Sequence, residues 1–145
     1  MSSTTFSGPV RAGTVREGAA VNAGLVVLSQ SYDSGDLTGD EVGNFDAVLG
    51  RIPAGSQIVD IVVDQVVAAA TGTTTVSVGN AAGGAQLMAG IATTAGGRFR
   101  GTATAATQLA WQTGTADTTI HVRNVVGTDT LTAGRFIVTV LYIQK

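Results

Sequence analysis

Residues Gly55 to Asn80 read GSQIVDIVVDQVVAAATGTTTVSVGN, and the alternation in this stretch decides the fold class. From Val59 to Val67 the odd positions carry Val59, Ile61, Val63, Gln65 and Val67, while the even ones place Asp60 and Asp64 between Val62 and Val66. A period of two is that of a β-strand, here with one apolar and one mixed face. Thr73 to Val78 repeats it, with Thr74, Val76 and Val78 against Thr73, Thr75 and Ser77. Between the two runs lies Ala70-Thr71-Gly72, a short linker whose glycine tolerates positive φ, so the pair is expected to form an antiparallel hairpin.

Upstream, Phe45 to Ile52 reads as a strand closed by Ile52-Pro53-Ala54-Gly55, where proline second and glycine fourth suit a type I turn. Gly24 to Gln30 carries Leu25, Val26, Val27 and Leu28, apolar on both faces, and is expected to be central in a sandwich or buried against another subunit. Downstream, Thr118 to Val126 alternates Ile120 and Val122 against His121 and Arg123. In Arg135 to Ile143, Phe136, Val138, Val140 and Tyr142 face one way and Ile137, Thr139, Leu141 and Ile143 the other, which predicts a central strand. Ala85 to Thr94, bracketed by Gly83-Gly84 and Gly96-Gly97, has helical spacing at Leu87, Met88 and Ile91, and equally fits a loop with one helical turn. Seven or eight strands without a long helix predict an all-β fold, an antiparallel β-sandwich or jelly roll. Residues 1–22, polar and broken by Gly8, Pro9, Gly13 and Gly18, are expected as an extended N-terminal arm, with 23–145 a single β-sandwich domain.

Composition narrows the function. The chain has 145 residues, enough for a core without covalent staples, and no cysteine, which excludes disulfides and thiolate metal sites. A net charge of -2 with eight scattered basic residues argues against a nucleic-acid surface. Charged residues make up only 12% against 44% hydrophobic ones, at a mean hydropathy of +0.32. The longest apolar run, Ile58 to Ala70, is interrupted by Asp60, Asp64 and Gln65 and falls short of a membrane span. MSSTTFSGPVRAGT has no charged start followed by an apolar block, so no signal peptide is expected. The low charge therefore implies that other protein chains cover part of the surface, as in a permanent oligomer.

Catalytic and ligand-binding constellations are sparse. One histidine without a second or a cysteine cannot complete a zinc site, and no G-x-S-x-G elbow or phosphate loop is present. An enzyme is not expected, and no cofactor is implied. Tyr32 to Asp46 gathers Asp33, Asp36, Asp40, Glu41 and Asp46, which fits a solvated acidic loop or an oxygen-rich cation site whose spacing departs from the EF-hand. Asp60 and Asp64 read as solvent-facing charges, and Arg98 and Arg100, flanking Phe99, as a strand edge. Trp111, the only tryptophan, is expected to plug a core or interface with its indole N–H on a carbonyl. In the arm, Phe6 and Val10 flank Ser7-Gly8-Pro9 and, with Arg11 and Arg16, are the candidate contacts to a neighbouring subunit or shell.

FSGPVRAGT near the start, NAGLVVLSQ, RIPAGSQIVDIVVD followed by TTTVSVGNA, and the ending AGRFIVTVLYIQK together resemble the capsid decoration (cement) proteins of tailed bacteriophages. The resemblance implies a β-sandwich that assembles, commonly as a homotrimer, on the outside of a DNA-filled head, with the major capsid protein as partner and no catalytic residue. A tail component, either a tube subunit or a receptor-binding module, is the alternative; the 5% aromatic content offers little for stacking on sugars.

Overall fold

The computed structural model describes residues 24–33, 43–69, 74–101, 107, 109–126 and 134–144. Eight strands alternate between two four-stranded antiparallel sheets: β1 (Gly24–Asp33), β2 (Gly43–Ile52), β3 (Gln57–Val67), β4 (Thr74–Gly79), β5 (Met88–Ala92), β6 (Gly97–Arg100), β7 (Thr118–Val126) and β8 (Arg135–Gln144). Sheet A has the order β1-β8-β3-β6 and sheet B the order β2-β7-β4-β5. First pairs with last, second with seventh, third with sixth and fourth with fifth. The chain is thus one long hairpin folded at the β4–β5 turn and rolled into two layers, the jelly-roll form of the sandwich.

This topology corrects the expected hairpin. β3 and β4 lie in different sheets, and the segment between them passes from one layer to the other. Period-two alternation is the same whether a strand pairs with its successor or crosses to the opposite layer, so the pattern could not choose. Six residues separate Val67 from Thr74, more than the usual hairpin loop, and both sides of β3 are taken by β8 and β6. The parity reading of β3 also shifts. A bulge between Ile58 and Asp60 puts Ile58, Ile61, Val63 and Gln65 inside and leaves Val59 outside.

Inward rows across sheet A read Val26-Tyr142-Ile58, Leu28-Val140-Ile61, Gln30-Val138-Val63-Phe99 and Tyr32-Phe136-Gln65. Sheet B supplies Val76, Val78, Ile120 and Val122, all within one buried cluster with Ile61, Val63, Phe136, Val138 and Val140. β8 is central, with the four residues predicted to share a face buried together. β1 is not: it forms the outer edge of sheet A. Of the two expectations for its apolar faces, a central place in the sandwich is thereby excluded and burial against another subunit is left; only Val26, Leu28 and Tyr32 join or pack on the core. The stretch with helical spacing becomes a turn and strand β5, in which Leu87 and Met88 are both buried and Met88 pairs with Val78. Glycines around so short a stretch remove the helix's advantage, while β4 offers it a ladder.

Trp111 sits as predicted, buried with its indole N–H donating to the Leu87 carbonyl at 2.8 Å. The expected type I turn over Ile52–Gly55 is corrected: the turn lies one residue later, over Pro53–Ser56, with the Ser56 N–H donating to the Pro53 carbonyl at 3.3 Å. Gly55 stands third at φ 73°, a positive value that type I does not have, while its N–H donates to the Gly114 carbonyl at 2.9 Å.

Candidate functional site

The outward face of sheet A has two dissimilar ends. Its rows run Leu25-Ile143-Gln57, Val27-Leu141-Asp60, Ser29-Thr139-Val62-Arg100, Ser31-Ile137-Asp64-Arg98 and Asp33-Arg135-Val67. At the end where β1 begins and β8 finishes, Leu25 and Val27 are 59% and 54% exposed beside Ile143 and Leu141, with Val59 bulging outward nearby at 47%. Cross-strand neighbours on one face lie about 5 Å apart, so the β1–β8 residues form a continuous apolar patch. Ser29 and Thr139 share a hydrogen bond of 2.9 Å at the boundary.

Beyond that boundary the face is charged but internally neutralised. Arg98 donates to both carboxylate oxygens of Asp64 at 2.6 and 3.0 Å, a bidentate pair between directly opposed residues of β6 and β3. The Arg98 guanidinium, chiefly through its hydrogen bond, holds the Asp64 carboxyl below the usual carboxylate range. Arg100 approaches Asp60 at 3.7 Å, and Arg135 approaches Asp33 at 3.4 Å. Asp60 and Asp64 do face outward as expected, each beside an arginine of β6, a partner that period-two reading of β3 alone could not supply.

On sheet B, part of the outward face, around Asp46 and Arg123, is instead covered by its own chain. The turn after β4 doubles back, so that a side-chain carbon at Gly79 would meet the Gly84 backbone at 2.6 Å. Asp46, opposite Arg123 in the β2–β7 ladder, accepts a hydrogen bond from the Gly83 N–H at 2.7 Å, and Arg123 donates to the Gly83 carbonyl. Gly83, at φ 72°, presents both groups from one residue.

Catalytic chemistry has little to build on. Among the described residues, no group of three or more His, Cys, Asp or Glu is placed to hold a metal ion. Of the five acids between Tyr32 and Asp46, Asp33 is engaged with Arg135 and Asp46 with Gly83; Asp36, Asp40 and Glu41 lie outside the described residues. His121 lies on the outward, more polar side of β7, between buried Ile120 and Val122. Burial pushes the Tyr32 hydroxyl up to about 12, so it stays protonated where it stacks on Phe136, ring centres 5.4 Å apart. The candidate contacts Phe6, Val10, Arg11 and Arg16 lie outside the described residues.

The described residues therefore form a double-sheet jelly roll with an exposed apolar patch on an edge strand. No protein-family model matches the sequence, and no curated protein matches it either. Solved structures do share the fold. A chain in the capsid of Ralstonia phage GP4 aligns with a TM-score of 0.61 and 20% identity, over 93% of this chain and 92% of that one. A chain of the cyanophage Pam1 capsid asymmetric unit aligns with 0.65 and 19% identity, over 97% and 98%. A third, from the acid-stable capsid of Helicobacter pylori bacteriophage KHP30, gives 0.57 and 16% over 83% and 87%.

Proposed function

We propose that this chain is a structural protein of a bacteriophage capsid that binds the outside of the shell and stabilises it by bridging capsomers. The observation that carries the reading is the match of the jelly roll to chains in three phage capsid structures, nearly end to end in two of them and over 83% of this chain in the third. All three are heads, which favours a capsid role over a tail tube or receptor-binding module. The exposed apolar patch and the low charge add support, because a surface of this kind is stable in water only when covered. The role is structural and not enzymatic.

Packed DNA pushes outward on a thin shell. A protein seated across neighbouring capsomers adds contact area that must be broken before they part, and many copies act together because each is held close to its site by the others. In this reading the chain works as a homo-oligomer, a trimer, on the virion surface, with the major capsid protein as partner. Residues 1–22 reach out as an arm, and Phe6, Val10, Arg11 and Arg16 make the contacts. Purified protein mixed with heads that lack it should sediment with them, and a chain without residues 1–20 should keep its circular-dichroism spectrum and stay in the supernatant. Binding of the shortened chain at full strength refutes the role given to the arm, and failure of the whole chain to sediment with heads refutes the capsid reading.

A further inference from the structure

The two sheets leave four edge strands, and three of them carry devices that block pairing with another chain. β6 has only four residues and shows Arg98 and Arg100 to solvent. β5 has five residues, contains Gly90 and meets β4 with a broken register. β2 is long, but it is bulged between Val48 and Gly50 and bears Asp46 and Arg51. Short strands, bulges and charges are the usual protections of a sheet edge. β1 has none of them. Its ten residues pair with β8 in unbroken register, with no proline, lysine or arginine and with one acid at the last position. Among the described residues no strand pairs with the outer side of β1 from Gly24 to Tyr32, so a row of backbone N–H and C=O groups beside the apolar patch of Leu25, Val27, Leu141 and Ile143 is placed to receive one.

We infer that the β1 edge is a strand-acceptor site and that its occupant is the segment preceding Gly24 in a second copy of this chain. The inference rests on the arm having an assembly role, as proposed above, and names the surface that receives it. Three facts select this occupant. The 23 residues before Gly24 span up to about 75 Å when extended, enough to reach a neighbour. They enter the domain at Gly24, which pairs with Gln144, at the same end of sheet A as the patch. They also carry Phe6 and Val10, apolar groups of the kind the patch can cover. A chain's own segment suits the site poorly. A tight reversal at Asn22-Ala23 would set Ala20 and Gly18 opposite Leu25 and Val27, and would carry Phe6 and Val10 past the end of the strand. A neighbour's arm has no such restriction, gains main-chain hydrogen bonds along β1 and covers the edge that, among the described strands, lacks a protecting device.

The absence of cysteine allows a direct test on the full-length protein without heads. Ser7→Cys and Ser29→Cys are made in separate chains of different tagged mass, mixed, and treated with a short bis-maleimide. A cross-linked heterodimer is expected, and Val27→Lys or Leu25→Lys in the Ser29→Cys chain should cut its yield about tenfold, the factor that goes with about 1.4 kcal/mol of association. Val48→Lys is the control, because Val48 is as exposed as Val27, at 56%, but sits on the bulged edge of β2. Its yield should not change. No heterodimer, a link that forms only within a Ser7→Cys/Ser29→Cys double variant, or a yield indifferent to both β1 lysines in chains of unchanged circular dichroism would each overturn the assignment. A chain that cross-links in this way but ignores heads loses the capsid reading alone; one that coats heads without cross-linking loses the β1 assignment alone.

Discussion

The two flanks of sheet A are finished in opposite ways. On the β3 flank, β6 covers Val62 to Gln65, and the segment around Trp111 continues the cover toward the start of the strand. The Gly101 N–H donates to the Ile61 carbonyl at 2.8 Å, the Ile58 N–H to the Trp111 carbonyl at 2.8 Å, and the Thr113 N–H to the Ser56 carbonyl at 2.9 Å. On the other flank β1 has β8 on one side and, among the described residues, no strand on the other from Gly24 to Tyr32. One flank spends its backbone groups on its own fold; the other holds them available. The difference separates the part of the molecule that sets its stability from the part that is free to set its assembly.

If that division is right, substitutions on the sealed flank must cost folding free energy. The largest effect is expected at Trp111, which is buried in the core cluster and donates its indole N–H to the Leu87 carbonyl. Trp111→Ala should lower the unfolding free energy by about 3–5 kcal/mol, from the cavity together with a carbonyl left without its donor. Urea unfolding followed by far-ultraviolet circular dichroism measures it, and a loss below about 1 kcal/mol would break the comparison. Gly101→Ala comes next. The added carbon would stand 3.3 Å from Ile61 Cβ and 3.4 Å from the Trp111 ring, neither of which moves freely, so a loss of about 1–2 kcal/mol is expected in the same assay.

The sequence disclosed these two flanks unequally. β7 and β8 were legible because their alternation runs unbroken: Ile120 and Val122 of β7 and the Phe136, Val138, Val140 and Tyr142 row of β8, each expected to share a face, are buried together. Trp111 was legible because a lone indole needs both apolar cover and an acceptor. The partners of each strand were not legible. Val59 to Val67 and Thr73 to Val78 alternate alike whether they pair with one another or face one another across the core, and the Val59 bulge that resets the parity leaves no mark in residue type. β1 was hidden for the converse reason. Leu25 to Leu28 read equally as a central strand or as one buried against another subunit, and among the described residues only one side is covered. An apolar edge is indistinguishable in sequence from an apolar centre, because the same residue types serve both.

On the open flank the expected effects are small for folding. Val27→Thr keeps the branching and changes an exposed side chain, so urea unfolding at low protein concentration should shift by no more than about 0.5 kcal/mol. A larger loss under those conditions would mean that β1's outward face is part of the fold's own stability, and the two flanks would no longer differ in kind.

The smallest effect belongs to the ion pair at the sealed edge. Arg98 holds the Asp64 carboxyl below its ordinary value, so the folded state binds that proton less readily than the unfolded chain. The pair's contribution is therefore present above the unfolded carboxylate value of about 3.9 and is lost as pH falls through the lower folded value. A carboxyl carbon titration by NMR should place the Asp64 midpoint below that of an unpaired aspartate, and Arg98→Gln should move it back up. Because Arg98 is exposed, salt should weaken the shift, and stability near neutral pH should barely notice the substitution. The arginine would then serve the β6 edge chiefly as a charge that keeps other strands away, which is the device β1 lacks. An Asp64 midpoint unmoved by Arg98→Gln would remove the pairing and leave β6 guarded by its shortness alone.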